Sequence, residues 1–484
     1  MPARHLRLAV ARADRLRTAL DRAVAELDVP GDFPVKVRDE AAGAARSVRS
    51  PHADLTDVPF VTIDPPDSMD LDQAMHLSRD GEGFVVRYAI ADVAAFVDPG
   101  GAIDAEAHRR GVTFYGPDRR APLHPVELSE GAASLLPGEE RPALVWELRL
   151  DSSGQLTDTA LRRALVRSRA KLSYESVQRD IAAGAAGDML ALLPEIGRLR
   201  EELEKARGGV SLPVPQQAIV ISDDGYGLEY RSPPPVEAWN AQLSLLTGMA
   251  AASLMREGRI GILRSLPSAR PHDVERLRRT ARALRIDWPA NLPYPDLIRT
   301  LDQSLASHAA FSNEATTLFR GAGYVAFDGS VPDGAGHAAI AAAYAHVTAP
   351  LRRLADRYAL EVCASVSAGV DVPDWVRAEL PGLADVMADT GRRAGSFEAA
   401  CVAAVEAAVM TGREGEVFPG VVVDVAKEDD RGEVVIQEPA IRGRIDGDDL
   451  PLGEDVSVRL VEAAIEARRV AFALARERRR TKLA

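Results

Sequence analysis

The chain has 484 residues, 46% hydrophobic and 27% charged, which is ordinary globular composition and excludes a disordered or fibrous protein. Its 59 basic and 72 acidic residues leave a net charge of −13, so affinity for a polyanion must come from local clusters rather than from the total. The two cysteines, Cys363 and Cys401, form no CxxC pair and no disulfide framework, which argues against structural zinc and for a reducing, cytoplasmic setting. The polar N-terminus MPARHLRLAVARADRLRTAL lacks the apolar segment of a secretory signal, and no apolar run is long enough to span a membrane.

Residues 4–28 carry Leu6, Val10, Leu16, Leu20, Val24 and Leu27 at helical spacing, and the turn DVPGDFP ends that helix. A second short helix is predicted over 35–47, and SVRSPHADLTD reads as a linker. VPFVTI and FVVRYAIADVAAFV have strand texture. Helix is predicted over 159–207, 237–256, 272–284 and 297–321, then again from about 350 to 410. From about 415, five short β-type runs separated by Gly, Asp and Pro suit a small OB-type barrel. Arginines cluster at 162–169, at 352–357 and at the C-terminal end; by itself each cluster is equally a solvated face. The expected architecture is α+β: a helical segment over 1–55, a large mixed domain over 56–412 and a barrel over 413–484.

TIDPPDSMDLDQAM, residues 62–75, is the most informative stretch. The strand-like FVTI delivers Asp64, and Pro65 and Pro66 enforce an extended turn. Asp70 and Asp72, two apart in an extended segment, project to one side. Like charges so concentrated call for a cation, and hard oxygens suit Mg²⁺, with Mn²⁺ as a substitute. An EF-hand is excluded, because Met69 and Met75 stand where its Gly and Glu must be. A solvated Asp-rich turn remains the plain alternative for this motif taken alone.

This motif resembles the signature of the RNase II/RNase R (RNB) family, which reads TID, six residues with Asp last, then x-D-D. Asp64, Asp70 and Asp72 match its first three acidic positions, and Gln73 stands where the family usually has a fourth Asp. The stretch from Ala89 resembles the family segment carrying a base-stacking aromatic, here Tyr115. SRAKLSYESV matches the segment with a second RNA-contacting tyrosine, Tyr174. HAAIAAAYAHVTAPLRRLADRYAL is similar to the Y-x-H-F-T-S-P-I-R-R-Y-x-D block, with Arg352 and Arg353 as its arginines, and SFEAA resembles the S-x-x-E segment, with Glu398. The four blocks lie in order between about residues 56 and 410, and the tail fits the ribosomal-S-one-type OB domain that follows in this family.

The resemblance implies a Mg²⁺-dependent, processive 3′–5′ exoribonuclease that acts as a monomer on single-stranded RNA and releases nucleoside 5′-monophosphates. Asp64 and Asp72 would hold the metal, with Asp70 as ligand or support and Gln73 offering an amide oxygen. Arg352 would clamp the phosphate. Tyr115, Tyr174, Arg353 and Glu398 would contact RNA. The family glutamate expected in VEAWNAQLSLLTGMAAA is replaced by the neighbourhood of Trp239 and Asn240, and LPVPQQAIVI offers no aromatic for a base clamp. Members usually carry two cold-shock domains before the catalytic one, whereas here the first 55 or so residues, ahead of TID, read as helices, either helix-turn-helix-like or a packing arm. The runner-up function is a catalytically weakened RNA-binding homologue, with Gln73 as the discriminating residue; a small-molecule phosphodiesterase is disfavoured by the barrel.

Overall fold

The computed structural model describes residues 10–210, 216–222, 225–231, 233–302, 304–426 and 431–475. Two helices open it, α1 (Val10–Glu26) and α2 (Val35–Arg46). They serve different cores. Leu16, Leu20 and Ala23 of α1 are buried in the main core against the long helix α11 (Asp374–Met410). Val37 and Ala41 of α2 join a second core beside α3 (Ala102–Arg110). The two helices thus pack into separate cores.

The central region is built on a six-stranded sheet. Its strands are β1 (Ala53–Asp54), β2 (Phe60–Ile63), β3 (Gln73–Asp80), β4 (Gly83–Ala91), β7 (Glu140–Leu150) and β8 (Leu156–Leu172), in the order β1-β8-β2-β3-β4-β7. β8 also pairs with β7 along residues 156–167 and with β2 along 168–172, which closes the sheet on itself. Helix was expected over 159–172. The spacing of Leu161, Ala164, Leu165 and Ser168 mimics a helical face, but pairing along both edges overrides the helix preference of Leu, Ala and Arg. Leu161, Ala164, Val166 and Ser168 turn inward.

Between these strands, β5 (Phe114–Tyr115) and β6 (Arg120–Ala121) form a small hairpin. After β8 come α4 (Tyr174–Ala182), α5 (Gly187–Arg207), the hairpin β9 (Gln216–Ser222) and β10 (Gly225–Arg231), and α6 (Pro235–Gly258). LPVPQQAIVI lies partly outside the described residues. β11 (Ile260–Ser265) and β12 (Gly323–Asp328) pair antiparallel and bracket α7 (Pro271–Ala283), α8 (Tyr294–Arg299) and α9 (Ala306–Ala315). α10 (Leu354–Ala368) and α11 follow, matching the helices expected from 350 to 410.

The final strands, β13 (Val417–Val425), β14 (Arg431–Ile436), β15 (Ile441–Asp446), β16 (Asp455–Ala464) and β17 (Arg469–Leu474), close into a five-stranded barrel. The barrel shares the main core through Phe418, Val434 and Phe472, and α9 packs on β13. α1 ties it down at the surface: Arg15 Nε lies 2.6 Å from Glu466 Oε1, and Arg468 pairs with Glu26. At the junction Glu406 is buried; its Oε1 accepts from Gln217 Nε2 at 2.6 Å and from the Arg442 amide at 2.7 Å. Both cysteines are buried and free, and no helix among the described residues is long and apolar enough to cross a membrane.

Candidate active site

β2 ends at Ile63, and the Asp64 amide donates to Leu172 O of β8 at 3.0 Å, so the sheet edge fixes where this carboxylate starts. The two prolines carry the chain out of the sheet. It returns through Leu71, whose amide donates to Ser134 Oγ at 2.9 Å, and enters β3 at Gln73. Asp72, just before β3, is 4% exposed. Its Oδ1 accepts from the Leu351 amide at 2.7 Å, and its Oδ2 lies 3.4 Å from Arg352 Nε. The first acidic motif and the arginine block, nearly 300 residues apart in sequence, therefore meet at one carboxylate.

The arginine segment is held from several sides. Gly248 of α6 accepts from the Ala345 amide at 3.0 Å, and a Cβ there would fall 2.1 Å from the Tyr344 ring, so only glycine lets the segment lie so close. Arg264 N donates to Tyr344 O, and Thr113 N to Arg352 O. Buried Asp356 receives the Ala349 amide at 2.7 Å and both arms of Arg353, at 3.0 and 2.9 Å. Two donors of Arg353 are thus engaged in shaping the loop. Arg352 points out, 42% exposed, with Asp72 as its ion-pair partner and its outer donors open.

The other candidates separate. Asp70 is paired with Arg120 Nη1 at 3.0 Å, and Arg120 also reaches Glu130. Tyr115, exposed, is opposite Arg120 in the hairpin, and Phe397 backs that hairpin against Phe114. Glu398, next to Phe397, is exposed on α11, so the aromatic and not the acid is what this segment contributes near the hairpin. Tyr174 opens α4 behind a Ser173–Ser176 capping box, and its hydroxyl accepts from Asn240 Nδ2 at 3.3 Å. Asn240 is 4% exposed, and its Oδ1 is buried with no partner. A buried acceptor left empty costs about 1–3 kcal/mol, so Asn240 is the least satisfied polar group beside Tyr174. Arg120 is a functional candidate that carried no local sequence signal, whereas Asn240 lies in the stretch where the expected glutamate is missing.

Gln73 departs from expectation. Its Oε1 accepts from the Tyr88 hydroxyl and from Ser244 Oγ, the latter at 3.1 Å. Both lone pairs are in use, so the amide offers no oxygen to a cation without losing a bond to a buried tyrosine. Among the described residues no three His, Cys, Asp or Glu are drawn into one coordination shell. The chemistry of the acidic donors still fits a hard divalent ion. Asp64 Oδ2 is buried and unpartnered. Burial, then the charge of Asp70, pushes the Asp64 carboxyl up to about 6. Burial pushes Asp72 up to about 8, against the opposing pull of Arg352 and the Leu351 amide. Carboxylates so raised gain most from a cation that keeps them charged.

Residues 52–366 match the RNB domain, and residues 416–475 match the RNase II-type exonuclease C-terminal S1 domain. The chain belongs to the RNB family. Escherichia coli Ribonuclease R is 28% identical over 357 residues, covering 70% of this chain and 43% of that protein, so the chain spans under half the length of that relative. Aquifex aeolicus Ribonuclease R is 24% identical over 502 residues, with 94% of this chain and 70% of the relative covered. In fold, the chain resembles the apo form of Mycoplasma genitalium RNase R, with TM-score 0.85, 19% identity, and 96% and 78% of the two chains covered. It also resembles yeast Ssd1, described as a pseudonuclease, with TM-score 0.70, 16% identity, and 94% and 57% covered. The RNB-type α+β fold with a closed five-stranded C-terminal barrel is thereby established.

Proposed function

We propose that this RNB protein is a Mg²⁺-dependent exoribonuclease that shortens single-stranded RNA from its 3′ end and releases nucleoside 5′-monophosphates. One observation carries the reading: Asp72, buried and pushed up, is held by the Leu351 amide beside an outward Arg352. Asp64, Asp70 and Asp72 are the residues that would hold the ion, and Gln73 serves as a structural neighbour. When bound, Mg²⁺ supplies Lewis acidity and a lowered pKa for a water.

The chain's own groups do the remaining work. Arg352 presents a planar fork to the scissile phosphate and stabilises charge that grows on its oxygens. Arg120 neutralises Asp70 and keeps that carboxylate aimed. Tyr115 offers an exposed ring on which any terminal base stacks, a sequence-tolerant contact. The Asn240 oxygen lies beside Tyr174 as an acceptor for a donor on the strand, such as a ribose hydroxyl.

The test is incubation of the purified protein with 5′-labelled single-stranded RNA and Mg²⁺, read on a sequencing gel. A ladder shrinking from the 3′ end, with mononucleotide product, is expected. Gln73, occupied by two hydroxyls where the family pattern has a fourth acid, supports a second reading as an RNA-binding homologue without turnover. That reading stands if no Mg²⁺ or Mn²⁺ concentration yields shortening.

A further inference from the structure

The segment between β11 and β12 carries a concentration of positive charge outside the active site. Residues 270–285 contain six arginines against two acids, Asp273 and Glu275, in a chain whose net charge is −13. The start of this run does not form a flat surface. Between the N-terminus of α7 and the turn after α9 lies a cavity of about 400 Å³, lined by Arg270, Arg276, Arg320, Ser268, Thr317 and Asp273 among others.

The three guanidiniums differ in what holds them. Arg276 is fixed, with Nη2 2.8 Å from Thr317 Oγ1 and 3.0 Å from Glu314 Oε1. Arg270 and Arg320 are exposed and have no ion-pair partner among the described residues. No side chain caps α7, and Pro271 occupies its first turn, so the peptide dipole there adds to the positive field. One carboxylate, Asp273, lines the cup, and it leans toward His272 Nδ1 at 3.6 Å. Three forked cations around a small cavity match a phosphate group.

The setting indicates which phosphate. The cavity begins at Pro267 and Gly321, just past the Ser265–Gly323 end of the β11–β12 ribbon. The next rung is Arg264–Tyr324, and the Tyr324 hydroxyl lies 2.7 Å from His346 Nδ1, on the segment that leads to Arg352. From the cup, Arg279 and Arg282 continue exposed along α7, and Arg285 follows just beyond its end. A track of charge suits a chain of phosphates better than a single anion.

We propose that the arginine-lined cavity formed by Arg270, Arg276 and Arg320 is a phosphate site that grips the backbone of RNA outside the catalytic carboxylates. This rests on the RNA reading above, so the test separates the two. Binding is measured by fluorescence anisotropy on the full chain carrying Asp72→Asn, with labelled oligoadenylates of about 5 and about 20 nucleotides over a salt series. Arg270→Ala/Arg320→Ala is expected to weaken the long RNA about tenfold and to reduce the slope of log K against log salt by about 1–2, leaving the short one unchanged. Arg270→Lys/Arg320→Lys should recover the slope but only part of the affinity. Arg282→Ala/Arg285→Ala removes equal charge from the far end of the same segment, outside the cavity, and should have a clearly smaller effect. An equal loss in that control, or unchanged long-RNA binding, overturns the backbone site. A calorimetric arm with adenosine 5′-monophosphate tests the other source of the same chemistry: binding lost in the alanine pair while RNA is unaffected assigns the cup to the mononucleotide and refutes a backbone grip. If the parent chain binds neither RNA, the RNA reading fails, and the mononucleotide arm alone decides whether the cup takes phosphate.

Discussion

Replacing Glu406 by Gln probes the junction between the RNB domain and the barrel. The side chain is 7% exposed, and burial is the leading cause that pushes its carboxyl up to about 7, against the pull of Gln217 and the Arg442 amide. The folded state therefore binds a proton more readily than the unfolded chain, whose carboxyl keeps the ordinary value of 4.5. The sign follows: stability is undiminished below about pH 4.5 and falls as pH rises toward 7, after which the loss is complete. At 1.36 kcal/mol per pH unit the full loss is about 3 kcal/mol, most of it developing between about pH 5 and pH 8. Gln keeps an acceptor for both donors and never ionises. Glu406→Gln should thus match the parent near pH 5 and exceed it by roughly 2–3 kcal/mol at pH 8. Urea unfolding across that range, followed by hydrogen exchange at Arg442 to localise the effect, makes the comparison. A difference between the two proteins that stays constant from pH 5 to pH 8 would refute the burial argument.

Asp72→Asn retains the acceptor for the Leu351 amide but removes the charge facing Arg352, so single-turnover cleavage should fall at least ~100-fold while RNA still binds; near-parental cleavage eliminates the proposed role. Gln73→Met removes the acceptor shared by the Tyr88 and Ser244 hydroxyls, which lie 2.9 Å apart and keep each other as partners, so it should cost only about 1 kcal/mol and shift half-saturating Mg²⁺ less than about threefold; a tenfold shift in a Mg²⁺ titration would make Gln73 a ligand after all. Arg352→Lys should cut cleavage at least about tenfold with little change in Tm, whereas Arg353→Lys should lower stability by about 3 kcal/mol or more through its buried partner Asp356; paired calorimetry and kinetics check the contrast. Asn240→Ala should narrow the preference for RNA over DNA of equal sequence, and an unchanged ratio of kcat/KM values would remove the orphan oxygen from sugar recognition.

The legible parts of this protein were those written in one short stretch. TIDPPDSMDLD states its chemistry locally, because strand, prolines and alternating carboxylates act within eleven residues. The barrel was equally readable, since each of its strands announces itself by composition and a turn. What escaped depended on distant partners. The helix expected across 159–172 failed because the two edges that make β8 a strand come from residues 60–63 and 140–150. Arg120 is fifty residues from the Asp70 it neutralises. The two arginines of the TAPLRRLAD block look interchangeable in sequence. Asp356, one helical turn beyond Arg353, captures that side chain and leaves Arg352 to face outward. Gln73 could be counted as a missing acid, but its engagement by Tyr88 and Ser244 required α6 to be laid across β3 and β4.

The hydrogen bond from the Leu351 amide to Asp72 spans 279 positions of chain. At a ribosome adding about 5–20 residues per second, roughly 15–60 s pass between the emergence of the carboxylates and that of the arginine segment. During that interval the growing polypeptide carries every acidic group of the site and no closed site. The site therefore cannot close until the arginine segment has emerged, long after its carboxylates have.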